Sequence, residues 1–171
     1  MSDGARIAAS LRAAIDEGIA IFHGVREDQT ARRPAADAWC AREVIGHLID
    51  SACNNHRRFI INQDADRLIV DPYDQTAWVA RSRYAQTPSS ALVPTWAAYN
   101  AQVARVIEAM PDAVLNRARG PIADHRFSYA DVPVTEFVTL GYLVEDYVGH
   151  IRHHFRQIRS LLAPGSTASV P

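Results

Sequence analysis

The segment VEDYVGHIRHHFRQI carries His150, His153 and His154 within five positions. Imidazoles at helical spacing are the material of a metal centre. Residues three or four apart meet on one helix face, so His150 can share an ion with His154 or with His153, and spacing alone allows either pair. The i, i+4 pairing is that of helical zinc motifs. Two histidines make half a site; a third ligand must come from another element. His47, in REVIGHLIDSACNNHRRF, is the candidate. Its helical neighbours Asp50, Ser51 and Asn54, with Arg58 beyond them, form a polar stripe beside an apolar one. Taken alone, that stripe reads more simply as a solvated helix face.

Four amphipathic stretches must position these groups. Apolar residues recur every three or four positions over residues 4–25 (Ile7, Leu11, Ala14, Ile15, Ile19, Phe22) and 40–62 (Ile45, Leu48, Ile49, Ala52, Phe59, Ile60). They do so again over 89–110 (Leu92, Trp96, Tyr99, Val103, Val106, Ile107) and 133–162 (Phe137 through Leu162). Glu43 stands three residues after Cys40, the spacing of a capping box. Pro94 would fit only the first turn of its helix. Residues 64–90 show no sustained period and read as a long connection; residues 111–132 are irregular, with a short helical turn near Val114. The expectation is an all-α, four-helix bundle with long connections, one domain over residues 1–163 and a turn-rich tail over 164–171.

Composition narrows the function. The 171 residues carry a formal net charge of −1, unlike a basic nucleic-acid binder. All 18 basic residues are Arg, scattered along the chain, as GC-rich coding would produce. No uncharged apolar run approaches the roughly 20 residues of a membrane span. Cys40 and Cys53, on one helix, would lie roughly 20 Å apart, beyond disulfide reach. The amino-terminal stretch lacks a signal-peptide core, so a cytoplasmic setting is expected, with no nucleic-acid or membrane partner. The oligomeric state stays open, a homodimer being one option.

Three motifs in order add a resemblance. WCAREVIGHLIDS, DPYDQTAW and HIRHH resemble the DinB/YfiT-like superfamily of bacterial metal-binding four-helix bundles, whose YfiT-like branch includes bacillithiol transferases. In that family a helix opening with Trp carries the first metal histidine in an H-L-x-D-S motif, matched by Trp39, His47, Asp50 and Ser51. An Asn and an Arg-Phe pair follow, matched by Asn54, Arg58 and Phe59. Pro72, Tyr73, Asp74, Ala77 and Trp78 reproduce a P-Y-D-x-x-A-W segment, and the last helix carries H-x-x-H-H. The resemblance implies metal ligands at His47, His150 and His154. Departures are Cys40 for a usual Ser or Thr, His56 for a common aromatic residue, and Gln157 where some relatives have another His.

Three neutral imidazoles leave a divalent transition metal cationic and partly open, and Zn or Ni suits them equally. Such an ion lowers the pKa of water or of a thiol. The resemblance implies hydrolysis, or transfer of a low-molecular-weight thiol as co-substrate to a small electrophilic substrate. Arg58 could grip a substrate carboxylate or form an ordinary ion pair. Asn54, Tyr73 and Trp78 are further candidates for substrate contact, although aromatics in a connection are as often packing anchors. Asp50 and Asp146 are candidates to orient ligand imidazoles from behind. The alternative is a non-enzymatic metal-binding protein of the stress-response or ligand-binding kind.

Overall fold

The first helix, α1 (Asp3–Phe22), starts where the Ser2 hydroxyl accepts the Ala5 N–H, satisfying one of the unpaired amides of the first turn. The computed structural model describes residues 1–119 and 137–163. Ile7, Leu11, Ala14 and Ile15 are buried as their spacing predicts, whereas Ile19 is exposed. The helix ends short of the expected Val25, ahead of Gly24 at φ 74°. The segment around Pro34 then forms an unexpected single turn, α2 (Glu27–Thr30).

α2 matters because it caps another helix. The Glu27 carboxylate accepts the Ser89 and Ser90 N–H groups, each at 2.9 Å, and the Arg42 guanidinium at 3.0 Å. Burial pulls this carboxyl up, but the Ser90 and Ser89 amides outweigh it and hold the pKa down to about 2.

α3 (Ala41–Ile61) opens with the Glu43 carboxylate accepting the Cys40 N–H at 2.9 Å, one half of a capping box. The stretch expected as a plain connection is corrected. It contains α4 (Gln75–Arg81), begun by Asp74, whose side chain accepts the Ala77 N–H at 3.0 Å, and a 3₁₀ turn at Tyr84–Gln86. Elements this short span too few turns to show a hydrophobic period.

α5 (Ser89–Glu108) carries Pro94 at its sixth position, not in its first turn as expected. Pro94 and Ser90, whose carbonyl it leaves unbonded, are both on the exposed face, where water can satisfy that oxygen. α6 (Asp112–Leu115) is the anticipated turn at Val114. α7 (Leu140–Leu162) starts later than expected, with the Thr139 hydroxyl accepting the Tyr142 N–H at 3.0 Å. Phe137, assigned to its apolar stripe, precedes the helix and is 69% exposed. Residues 133–136 and the tail 164–171 lie outside the described residues.

The fold is a four-helix bundle of α1, α3, α5 and α7, with α1 and α3 each packed against both α5 and α7. Trp96, Phe59, Phe155, Leu11, Ile45 and Leu48 fill its centre. Arg119, also buried, pairs with Val138 in an isolated antiparallel bridge. Its guanidinium donates to the carbonyls of Asn62, Ala65, Val114 and Arg117, which offsets the cost of burying the charge. Among the described residues no helix is long and apolar enough to cross a membrane.

Candidate metal centre

The packing of α3 against α7 brings the histidines together. His47 lies about two turns into α3 and is fully buried; His150 and His154 lie one turn apart on α7 and are half-buried. The His150 Nε2 atom is 3.3 Å from His47 Nε2 and 3.1 Å from His154 Nε2. One ligand nitrogen from each of the three lies within 4.8 Å of the others. A tetrahedral ion with metal–nitrogen bonds of 2.0–2.1 Å holds its ligand nitrogens about 3.3 Å apart. The two short separations match that figure. His153 faces outward and is exposed; its ring stacks edge-on against His154 at 5.1 Å, and it stands outside the cluster.

Proton positions follow from the neighbours. His154 Nδ1 is 2.8 Å from Gln157 Oε1. A carboxamide oxygen only accepts, so Nδ1 carries the proton and Nε2 offers its lone pair to the cluster. All three rings are held neutral. Burial, then the neighbouring His154, pushes the His47 pKa down to about 3. Burial and the other histidines push His150 well below the ordinary imidazole value. Burial lowers His154 as well, against the Gln157 hydrogen bond. Neutral imidazoles are the form that binds metal. With one proton per ring, three converging nitrogens cannot all be satisfied by one another, and a cation removes the conflict. The residues present therefore fit a divalent transition metal. One element is missing from the usual pattern: His47 Nδ1 is buried without a hydrogen-bond partner among the described residues. The Trp39 ring packs 5.4 Å from the His47 ring.

The other predicted residues are distributed unevenly. Asp50, one turn beyond His47, is buried; its Oδ1 accepts the Tyr84 hydroxyl at 2.7 Å, and its Oδ2 has no partner among the described residues. Burial raises its pKa, with Tyr84 opposing. Asn54 donates to the Asp50 carbonyl at 2.9 Å. Arg58 is buried and donates to the Asp71 carbonyl. The Tyr73 and Trp78 rings pack 5.0 Å apart. Burial, then Asp50, pushes the Tyr73 hydroxyl up to about 12, with Arg58 opposing. Asp146 is half-buried on α7. Cys40 caps α3 and is buried, Cys53 is exposed, and both are free.

Sequence reasoning missed three contributors. Tyr84 holds Asp50 from the 3₁₀ turn. Gly46 makes that possible, since a Cβ there would come within 2.1 Å of the Tyr84 ring. Gln157, noticed only as a departure, fixes the His154 tautomer. A glycine inside a strongly helical pattern, next to the candidate ligand, was the available signal for a close approach.

Comparison with known proteins points the same way. The sequence profile of the DinB superfamily matches residues 10–158. A protein of Bacillus subtilis (strain 168) named "Putative metal-dependent hydrolase YfiT" is 27% identical over 139 residues, covering 80% of this chain and 72% of that protein. The solved structure of YfiT, described with an unusual four-helix bundle topology, superposes with a TM-score of 0.68 at 19% identity. That match covers 92% of this chain and 83% of the other.

Proposed function

The chain belongs to the DinB superfamily, and on that premise we propose that it is a metal-dependent enzyme acting on a small molecule, a hydrolase or a low-molecular-weight-thiol S-transferase. The observation that carries the reading is the convergence of three neutral ring nitrogens within 4.8 Å of one another, two of the separations at tetrahedral ligand spacing. His47, His150 and His154 would hold a single Zn or Ni ion. When bound, the ion supplies Lewis acidity and brings the pKa of water or a thiol toward neutrality.

The remaining roles belong to the chain. Gln157 keeps His154 in the tautomer that presents Nε2. Asp50, gripped at one oxygen by Tyr84, keeps the other free to accept a proton from the nucleophile. Asn54, Arg58, Tyr73 and Trp78 contact the substrate, and Asp146 supports α7 beside His150. The relative named as a metal-dependent hydrolase supports the hydrolytic branch.

The test is turnover of an ester and amide panel, and of several cellular thiols with 1-chloro-2,4-dinitrobenzene. Activity should vanish with chelator and return with Zn or Ni. Turnover that resists the chelator would overturn the reading and direct attention to Cys53.

A further inference from the structure

Among the described residues, Arg58 is a buried cation without a contacting anion. It is 7% exposed, and its guanidinium donates to the Asp71 backbone carbonyl and, at 3.4 Å, to the Asn55 side-chain oxygen. Both acceptors are neutral. The Asp71 carboxylate turns away to Arg57, at 2.6 Å. Among the described residues no carboxylate lies within ion-pair distance of Arg58. A guanidinium has five N–H donors in a planar fork, so among the described residues most of its capacity is unspent at a site where an uncompensated charge is costly.

Its placement ties it to the histidine cluster. His47, Asp50, Asn54 and Arg58 follow one another at three- and four-residue steps along one face of α3. The Tyr73 hydroxyl is within electrostatic reach of both Asp50 and Arg58 on this strip. Arg58 lies about 16 Å along the helix axis from His47, which is the scale of an extended small molecule rather than of a single reacting group.

We propose that Arg58 binds a carboxylate carried by the substrate at the end remote from its reacting atom. The inference deepens the metal-dependent reading and rests on it. A monoanion fits better than a phosphate. One buried cation balances one charge, a phosphate monoester carries ~1.5 to 2 negative charges at neutral pH, and Asp50 lies on the same strip.

Isothermal titration of the metal-loaded protein with ω-mercaptoalkanoates of increasing length, each against its amide, tests the proposal. At one chain length the acid should bind at least about tenfold more tightly than the amide, a difference of about 1.4 kcal/mol. Arg58→Gln should erase that preference while leaving metal content unchanged. Arg58→Lys, which keeps the charge and loses the fork, should retain part of it. Equal binding of acid and amide at every length, or a preference that survives Arg58→Gln, overturns the proposal. If Arg58→Gln fails to fold, the wild-type ratio and its reduction in Arg58→Lys decide. A parallel titration of metal-free protein with hexanoate and hexanamide separates the two readings. An acid preference there, in a protein that takes up no Zn or Ni on loading, keeps the Arg58 site and discards the metal centre; no preference in either titration discards the Arg58 site.

Discussion

At the scale of single residues, the chemistry depends on which atom of each side chain is free. His154 is the clearest case. Its Nδ1 proton is committed to Gln157, so its Nε2 lone pair is committed to the cluster. Partners of ligand imidazoles are typically worth about 10- to 100-fold in metal affinity. Gln157→Leu should therefore weaken metal binding by about tenfold or more in a competition titration with a chromogenic chelator, with one ion per chain still bound at saturation. Unchanged affinity would show that Gln157 is packing only. Asp50 presents the complementary case. Asp50→Asn keeps the shape and a hydrogen bond to Tyr84 but removes the proton acceptor. It should lower kcat by about 100-fold or more with metal content intact; wild-type kcat would remove Asp50 from the chemistry. The sequence exposed the histidines through their spacing and Asp50 through its place one turn after His47. It could not expose what each atom touches. Between His153 and His154 the spacing was neutral; the resemblance to the H-x-x-H-H pattern, with the apolar stripe of Ile151, Phe155 and Ile158 beside His150 and His154, chose the one that the structure brings to the cluster.

At the scale of elements, two junctions hold the site in place. One is the close approach of the 3₁₀ turn to α3, where the Tyr84 ring lies against the bare backbone of Gly46. Gly46→Ala forces the ring aside, an overpacking that costs about 1–3 kcal/mol. It should lower the melting midpoint and also release Asp50 from Tyr84. A crystal structure or melting curve of the variant that matches wild type would refute this account of the junction. The second junction is Glu27 on the first turn of α5. Because its pKa falls from 4.5 to about 2 on folding, its contribution is present above pH 4.5 and is lost as the pH drops toward 2. Glu27→Gln should therefore lower the melting midpoint at neutral pH, and the gap from wild type should close below pH 4.5. A constant gap would mean that the carboxylate charge is not what caps α5. The four long helices were legible because each repeats its apolar stripe over many turns. α2, α4 and the 3₁₀ turn were not, since one or two turns carry no period, and the bonds of Glu27 to Ser89 and of Tyr84 to Asp50 act across long sequence separations. Pro94 misled for a related reason: a proline inside a helix is tolerated when the carbonyl it frees faces water.

At the scale of the molecule, the bundle stabilises three uncharged histidines in a place where charged ones do not belong. In the unfolded chain these imidazoles take up protons near pH 6.5, while folded His47 resists protonation down to about 3. The unfolded state then binds more protons, so stability falls as the pH drops below about 6.5. Metal-free protein should lose stability progressively between about pH 6.5 and 3 in denaturant titrations, and His47→Phe should flatten that dependence. Acid should also expel the metal, because protonated imidazoles cannot ligate. The same burial that makes the site acid-labile is what prepares it for a cation. Most directly at stake is whether His47, His150 and His154 hold one ion between them. Elemental analysis of desalted protein after loading with Zn or Ni should find about one ion per chain in wild type and in His153→Ala. It should find close to none in His47→Ala, His150→Ala and His154→Ala, with helicity by circular dichroism unchanged. A wild type without metal, or a loaded His154→Ala beside an empty His153→Ala, would contradict the assignment.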